Sequence, residues 1–286
     1  MKVFDVFLFG YELDLLEIRL NILDPYVDYF VFSESKWAFS GMEKGLYYRD
    51  NKERFKKFEH KIIYNEIPDP TENQLEEISK KYNIAGHPTY QRDVYQKDSI
   101  RGVLEKHCSD DDIIIQSDLD EIILPEALAD IQGWFADPRA IYTGHQKFFM
   151  CHVNRLMYEN GEPVEKWRGP QFCTLAYMKA FGGFNTCRNP GKGPDHVKEY
   201  LIDGCGWHFS FLGGNDKIKE KLQGYGHQEH NNDMVKDNLE ENIKNNKDIL
   251  GRGYYDYKIV PFDPEEYPRE LVLNQEFYEE FIYADN

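Results

Sequence analysis

Residues 110 to 123 read Asp-Asp-Asp-Ile-Ile-Ile-Gln-Ser-Asp-Leu-Asp-Glu-Ile-Ile, an apolar run that ends in Asp118, Asp120 and Glu121. If the strand continues through them, alternation places Asp118 and Asp120 on one side and Leu119 on the other. Two carboxylates then meet one divalent cation, or the phosphates it carries. Hard oxygen ligands of this kind suit Mn²⁺ or Mg²⁺. The competing reading of an Asp-x-Asp in so acidic a chain is a solvated turn. The buried strand in front of it weighs against that reading.

The elements that must position these acids alternate. Lys2 to Phe9 reads as a buried strand, and Glu12 to Leu23 as a helix with Leu13, Leu16, Leu20 and Leu23 at helical spacing, ended by Asp24-Pro25. A second strand, Val27 to Ser33, stops at Glu34, and a loop rich in aromatics follows, Lys36-Trp37-Ala38-Phe39-Ser40-Gly41. A third strand at Lys61 to Tyr64 and helices near 72 to 82 and 89 to 107 precede the strand Ile113 to Ser117. The acids thus fall at the carboxyl end of a strand in an α/β pattern, the edge where open parallel sheets bind ligands. Pro125 opens a further helix through about Phe135, and Ile141 to Val153 reads as a long strand or hairpin arm.

Past residue 150, Gly-rich turns at Gly182-Gly183, Gly191 to Gly193, Gly204 to Gly206 and Gly213-Gly214 frame short aromatic strands such as Trp207 to Phe211. These loops are expected to form half of a cleft. Lys217 to Leu250 is polar and helical, interrupted at Gly224-Tyr225-Gly226-His227, and the acidic, aromatic tail from Pro261 carries no evident chemistry. The expected organisation is one domain over 1–286, with a first half at 1–123, a second half at 124–250 and an extension at 251–286.

The 286 residues are 41% hydrophobic and 15% aromatic, enough for a substantial core. A formal charge of −17 repels a nucleic-acid backbone, whereas a metal can mask local acidity for a small anion. The five cysteines, Cys108, Cys151, Cys173, Cys187 and Cys205, are odd in number and lack C-x-x-C spacing. That pattern argues for reduced thiols and a cytoplasmic setting rather than a zinc site or disulfide framework. A strand beginning at residue 2 leaves no room for a signal peptide, and no apolar run approaches the roughly 20 residues of a membrane span.

Several segments together carry a more specific signal. They are Phe4-Asp5-Val6-Phe7-Leu8-Phe9, Glu12 to Leu20, Val27-Asp28-Tyr29-Phe30-Val31 with Glu34-Ser35, Phe39-Ser40-Gly41, Gln91-Arg92, Asp118-Leu119-Asp120-Glu121-Ile122 and Gly206-Trp207-His208-Phe209-Ser210. In this order the chain resembles glycosyltransferase family 17, whose best-known members add the bisecting N-acetylglucosamine to N-glycans. The resemblance implies a glycosyltransferase A type fold: a mixed, mostly parallel, Rossmann-like α/β sheet with helices on both faces. It also implies a metal-dependent inverting transfer from a UDP-sugar, UDP-N-acetylglucosamine above all, to a glycan acceptor. The animal members carry a membrane anchor and stem, and this sequence shows neither.

Under that resemblance Asp118 and Asp120 hold the metal, with His208 the first choice for a third ligand and His227 the second. An inverting transfer also needs a carboxylate base, for which Glu229, Asp203 and Glu121 are the candidates. Glu34 and Ser35 are expected to contact the base or ribose, and Gln91, Arg92, Lys97 and Arg101 lie on the preceding helix. Lys97 and Arg101 share a helix face, while Arg92 is about 140° away from Lys97, so the three do not meet one phosphate. Trp37 and Phe39 can stack on a sugar ring or cap the core.

Two other readings compete. Strand-Asp-x-Asp also marks haloacid-dehalogenase-type phosphatases, but a small residue and a Thr normally follow there. Here Glu121, Ile122 and Ile123 stand in those places, more than 110 residues into the chain. A non-catalytic nucleotide-sugar or glycan-binding module is compatible with the same fold, and the intact acidic trio argues against it.

Overall fold

A computed structural model of the chain describes residues 1–129, 131–135, 137–188 and 197–284. The expected turn at Gly191 to Gly193 lies outside the described residues.

Residues apolar on both faces of a strand belong in the middle of a sheet. β1 (Val3–Phe9) accordingly runs between β2 (Tyr29–Ser35) and β4 (Ile113–Gln116), parallel to both, with β3 (Ile62–Ile67) parallel beyond β2. The crossovers are α1 (Leu13–Leu23), α2 (Tyr47–Asn51), α3 (Glu72–Tyr82) and α4 (Pro88–His107). β2 and β3 outrun their expected ends because Glu34 and Ser35 still pair with Glu66 and Ile67. The buried Glu34 carboxylate is hydrogen-bonded there by the Tyr48 amide at 3.2 Å and the Tyr64 hydroxyl at 3.0 Å.

The second half continues the same sheet in mixed sense. β5 (Glu121–Ile123), α5 (Pro125–Ala129) and α6 (Ile131–Trp134) lead to the long β6 (Ile141–Met150). β7 (Arg155–Glu159), β8 (Glu162–Pro163) and β9 (Trp167–Thr174) return antiparallel. The strand order is β12-β7-β6-β9-β4-β1-β2-β3, where β12 is Tyr255–Ile259 and pairs with β7. α7 (Leu175–Phe181) and α8 (Phe184–Arg188) precede β10 (Glu199–Ile202) and β11 (Gly206–Ser210), both parallel to β6. The architecture is the mixed α/β, Rossmann-like sheet expected, with its parallel run concentrated between β3 and β4.

The polar stretch after residue 214 forms α9 (Asn215–Gly224), α10 (Asp233–Asp237) and α11 (Leu239–Lys244). The tail, with α12 (Arg269–Leu273), is no loose appendage: Leu271, Tyr278 and Phe281 are buried in one core cluster with Leu15 and Leu16 of α1. Asn154 clamps it by accepting from the Tyr283 amide at 2.8 Å and donating to its carbonyl at 3.0 Å. Among the described residues no helix is long and apolar enough to cross a membrane.

Candidate active site

The acidic segment does not continue as a strand. β4 ends at Gln116 and β5 begins at Glu121, so Asp118-Leu119-Asp120 is a turn between them, and the expected strand alternation does not operate there. The reason is Arg19, a residue of α1 with no exposed surface. Its Nη1 donates to the carbonyls of Asp118 at 2.8 Å, Leu119 at 3.1 Å and Glu121 at 3.1 Å. Its Nη2 donates to Ser117 Oγ and to Asp5 Oδ1, and its Nε to Asp5 Oδ2 at 2.8 Å. A planar guanidinium has five donors in a fixed fork, and here they convert three backbone carbonyls into a rigid bend. The buried Asp5 carboxylate in the middle of β1 balances its charge.

The bend turns two acids toward one cavity of about 350 Å³ at the carboxyl ends of β1 and β4, bordered by Asp118, Asp120, His208, Lys97, Lys221 and Lys44. Each acid faces its own cation. Asp118 Oδ2 accepts from Arg188 Nη2 at 2.6 Å, and Arg188 also forks onto both oxygens of Glu121 at 2.7 Å. Asp120 Oδ2 accepts from Lys221 Nζ at 2.9 Å, while its Oδ1 lies 3.5 Å from His208 Nε2. Burial alone would raise both aspartate pKa values. Arg188 and then Lys97 hold the Asp118 carboxyl below the usual range, and Lys221 and His208 do the same for Asp120. Burial likewise works against the Lys97 ammonium, and Asp93 and Asp118 more than restore its charge.

His208 comes from β11, which runs antiparallel to β5 with His208 opposite Glu121. Gly206 makes that approach possible: at φ +130°, an added Cβ would stand 2.2 Å from the Ile122 carbonyl. The imidazole is wedged between the rings of Phe148 and Trp167, 4.5 and 5.4 Å away. Its Nδ1 is buried with no hydrogen-bond partner among the described residues, so packing fixes the ring and leaves Nε2 toward Asp120.

A divalent ion would find two facing donors here. Asp120 Oδ1 and His208 Nε2 face each other across 3.5 Å at the cavity, with the other Asp120 oxygen already taken by Lys221. The Asp118 side chain is 45% exposed beside them. Among the described residues no three such side chains are gathered to enclose an ion by themselves. Mg²⁺-type ions commonly take one or two protein ligands and complete their shell with water and substrate phosphate.

The other expected residues fall in different places. Lys97, Trp37, Phe39 and His227 border the cavity. Glu34 and Ser35 do not; each touches a lining residue instead, Glu34 3.5 Å from the Lys44 ammonium and Ser35 Oγ accepting from the Trp37 amide. Arg92 turns away to Asp69 at 2.7 Å, Gln91 donates to the Ile84 carbonyl, and Arg101 pairs with Glu105. Glu121 is buried against Arg188, and its Oε2 accepts from the Asp118 amide at 3.0 Å. Asp203 lies on the turn before β11, paired with His145 at 2.6 Å and Lys166 at 3.3 Å. Glu229 does not border the cavity but lies 2.8 Å from Nδ1 of His227, which does.

Sequence reasoning missed Arg19, Arg188, Lys221, Lys44 and Glu12. The cations are far from one another in sequence, Lys221 being one of three lysines on a polar helix, and only the fold gathers them. Arg19 alone left a trace, a charged residue on the apolar side of a helix.

A cleft of cations and carboxylates at the carboxyl ends of parallel strands defines the ligand site of an α/β enzyme. The signature of glycosyltransferase family 17 matches residues 1–275, and the chain belongs to that family: it is a glycosyltransferase. None of the curated proteins matches the chain. Among solved structures it is similar to a 4-diphosphocytidyl-2C-methyl-D-erythritol synthase from Anaerococcus prevotii, at 10% identity, 70% of this chain, 86% of that chain and a TM-score of 0.39. It is also similar to an inositol-1-phosphate CTP transferase from T. maritima, at 14% identity, 70% and 85% coverage and a TM-score of 0.35.

Proposed function

We propose that this glycosyltransferase is metal-dependent and inverting, and that it moves a sugar, N-acetylglucosamine from UDP-N-acetylglucosamine in the first instance, onto a glycan hydroxyl. One observation carries the reading: Asp118, Asp120 and His208 border the same cavity as three lysines, so divalent-ion ligands and diphosphate-binding cations share one cleft. Asp120 and His208 would hold the ion, with Asp118 beside them. The ion would supply Lewis-acid stabilisation of the departing diphosphate.

The protein's own groups do the rest. Lys97 and Lys221 are charged and fixed, 3.0 Å from Asp93 and 2.9 Å from Asp120, and they present ammonium groups to developing phosphate charge without reorganising. Trp37 and Phe39 supply apolar wall for a base or sugar ring. Of the carboxylates named from the sequence as base, Glu229 reaches this cleft through its contact with His227. Glu121 is committed to Arg188, and Asp203 does not border the cavity.

The test is a thermal-shift panel of UDP-, GDP- and CMP-sugars, each with and without Mn²⁺, since a ligand bound only by the folded state raises its melting temperature. Stabilisation by a UDP-sugar only when Mn²⁺ is present is expected. No shift with any nucleotide sugar, or a shift indifferent to Mn²⁺, refutes the reading.

A further inference from the structure

A second cavity of about 240 Å³ opens on the other side of Tyr11, between the start of α1, residue Tyr47 and the exposed face of α9. Tyr11, Glu12 and Lys221 border both cavities. The Tyr11 ring can stand there because residue 224 is glycine: an added Cβ would lie 1.5 Å from the Tyr11 hydroxyl. The ring packs edge-on against Tyr47 at 5.6 Å. The Tyr47 hydroxyl in turn donates to Glu220 Oε1 at 2.5 Å.

We infer that this second cavity receives the acceptor as a neutral glycosyl residue and that Glu12 is the general base of the transfer. The inference rests on the transferase reading above. The cavity has the make-up of a sugar site: aromatic walls from Tyr11, Tyr47 and Phe281 beside polar side chains held in fixed orientations. Its carboxylates Glu12, Asp14 and Glu220 are matched by Arg54, Lys217 and Lys221, so it offers no net attraction to a charged acceptor.

Glu12 is the one carboxylate that borders both cavities among the described residues. Its Oε1 accepts from Lys221 Nζ at 2.8 Å, and the same ammonium is 2.9 Å from Asp120. The base is thus one lysine away from the acids of the donor cleft. Glu12 Oε2 has no hydrogen-bond donor among the described residues, which leaves it free to take a proton. Asp14, by contrast, has one oxygen on Arg54 and the other on Lys217.

In the step assigned here, the acceptor hydroxyl gives its proton to Glu12 Oε2 and its oxygen bonds the anomeric carbon. The bond from that carbon to the diphosphate oxygen breaks, and the electron pair leaves with the nucleoside diphosphate beside Lys221. Glu12 precedes α1 and makes no side-chain capping bond there, so Glu12→Gln removes the base without removing a support of the helix.

The experiment measures UDP release from UDP-N-acetylglucosamine with Mn²⁺, using neutral oligosaccharides, sialylated oligosaccharides or water as acceptor. Wild type is compared with Glu12→Gln, Glu12→Asp, Glu220→Ala and Glu229→Gln. Glu12→Gln should lower kcat at least 100-fold, while its thermal shift with UDP and Mn²⁺ stays as in wild type. Glu12→Asp should recover part of the rate. Glu220→Ala should raise acceptor KM at least fivefold with donor KM within twofold.

An active wild type with Glu12→Gln within threefold of it, or loss of activity in Glu229→Gln alone, overturns Glu12 as base. A preference for sialylated acceptors, or an unchanged acceptor KM in Glu220→Ala, overturns the neutral-acceptor site. A wild type that turns over no donor refutes the transferase reading itself, and this inference falls with it.

Discussion

Replacing Arg19 with Met tests whether one side chain holds the acidic turn. Met keeps much of the apolar stem and deletes the guanidinium. The deletion strands Asp5, fully buried in β1, and removes the donors from the carbonyls of Asp118, Leu119 and Glu121. Breaking a buried ion pair from one side costs about 3–5 kcal/mol, and orphaned carbonyls add to it, so a loss of roughly 4–6 kcal/mol is expected. Against a typical stability of about 5–15 kcal/mol, that is a large fraction, and at about 2–4 °C per kcal/mol it lowers Tm by roughly 10 °C or more. The double variant Asp5→Leu/Arg19→Met removes both charges and should recover about 2 kcal/mol of stability. Its turn still lacks the guanidinium that grips the carbonyls of Asp118, Leu119 and Glu121, so its kcat should stay at least tenfold below wild type. Urea unfolding with steady-state assay measures both quantities. A single variant that costs under 1 kcal/mol, or a double variant no more stable than the single, refutes the account of the turn.

Other outcomes follow from the same geometry. Asp120→Asn removes a carboxylate from the proposed ion site and should cut transfer at least 100-fold while circular dichroism and urea midpoint stay near wild type; unchanged turnover contradicts the metal assignment. Gly224→Ala puts a methyl where the Tyr11 hydroxyl stands and should lower stability by about 2 kcal/mol, and a Gly224→Ala/Tyr11→Ala pair, in which the clash is gone, should regain part of it in the same urea assay. Burial and then Arg155 lower the His152 pKa from 6.5 to about 4. Above pH 6.5 both folded and unfolded forms are neutral; between 6.5 and about 4 only the unfolded chain takes the proton, so this residue's contribution is lost as pH falls through that window, by on the order of 3 kcal/mol. His152→Asn should flatten that part of the Tm-against-pH curve, and an unchanged slope would show that the proton is taken up elsewhere.

The alternating elements were legible because hydrophobic periodicity and Pro punctuation act locally. α3 falls at 72–82 as read, and β1, α1 and α4 within a residue or so of their expected ends. The turn at Asp118 to Asp120 was not legible as a turn, because its cause is a side chain on α1, 99 residues away from the carbonyl it grips. Lys97 and Arg101 show the same limit: one helix face, four residues apart, yet Lys97 reaches the cleft and Arg101 pairs with Glu105. Helical phase says which residues are neighbours, and only the packing of α4 says where the cleft begins. Glu12 carried no local mark at all. Its place is defined by α9, which arrives some two hundred positions later in the chain.

That separation has a consequence for how the enzyme comes into being. The carboxylates of the turn are made early, and their counterions late: Arg188 follows Asp118 by 70 residues and Lys221 follows Asp120 by 101. During synthesis the nascent first half therefore holds acids that have Lys97 nearby but not yet the cations they hydrogen-bond. Long-range closures of this kind slow folding. The cleft cannot be completed before α9 is made, and a fragment ending before α9 would lack the Lys221 partner of Asp120. Function in this chain is a property of its whole length, acquired only when its late cations reach its early acids.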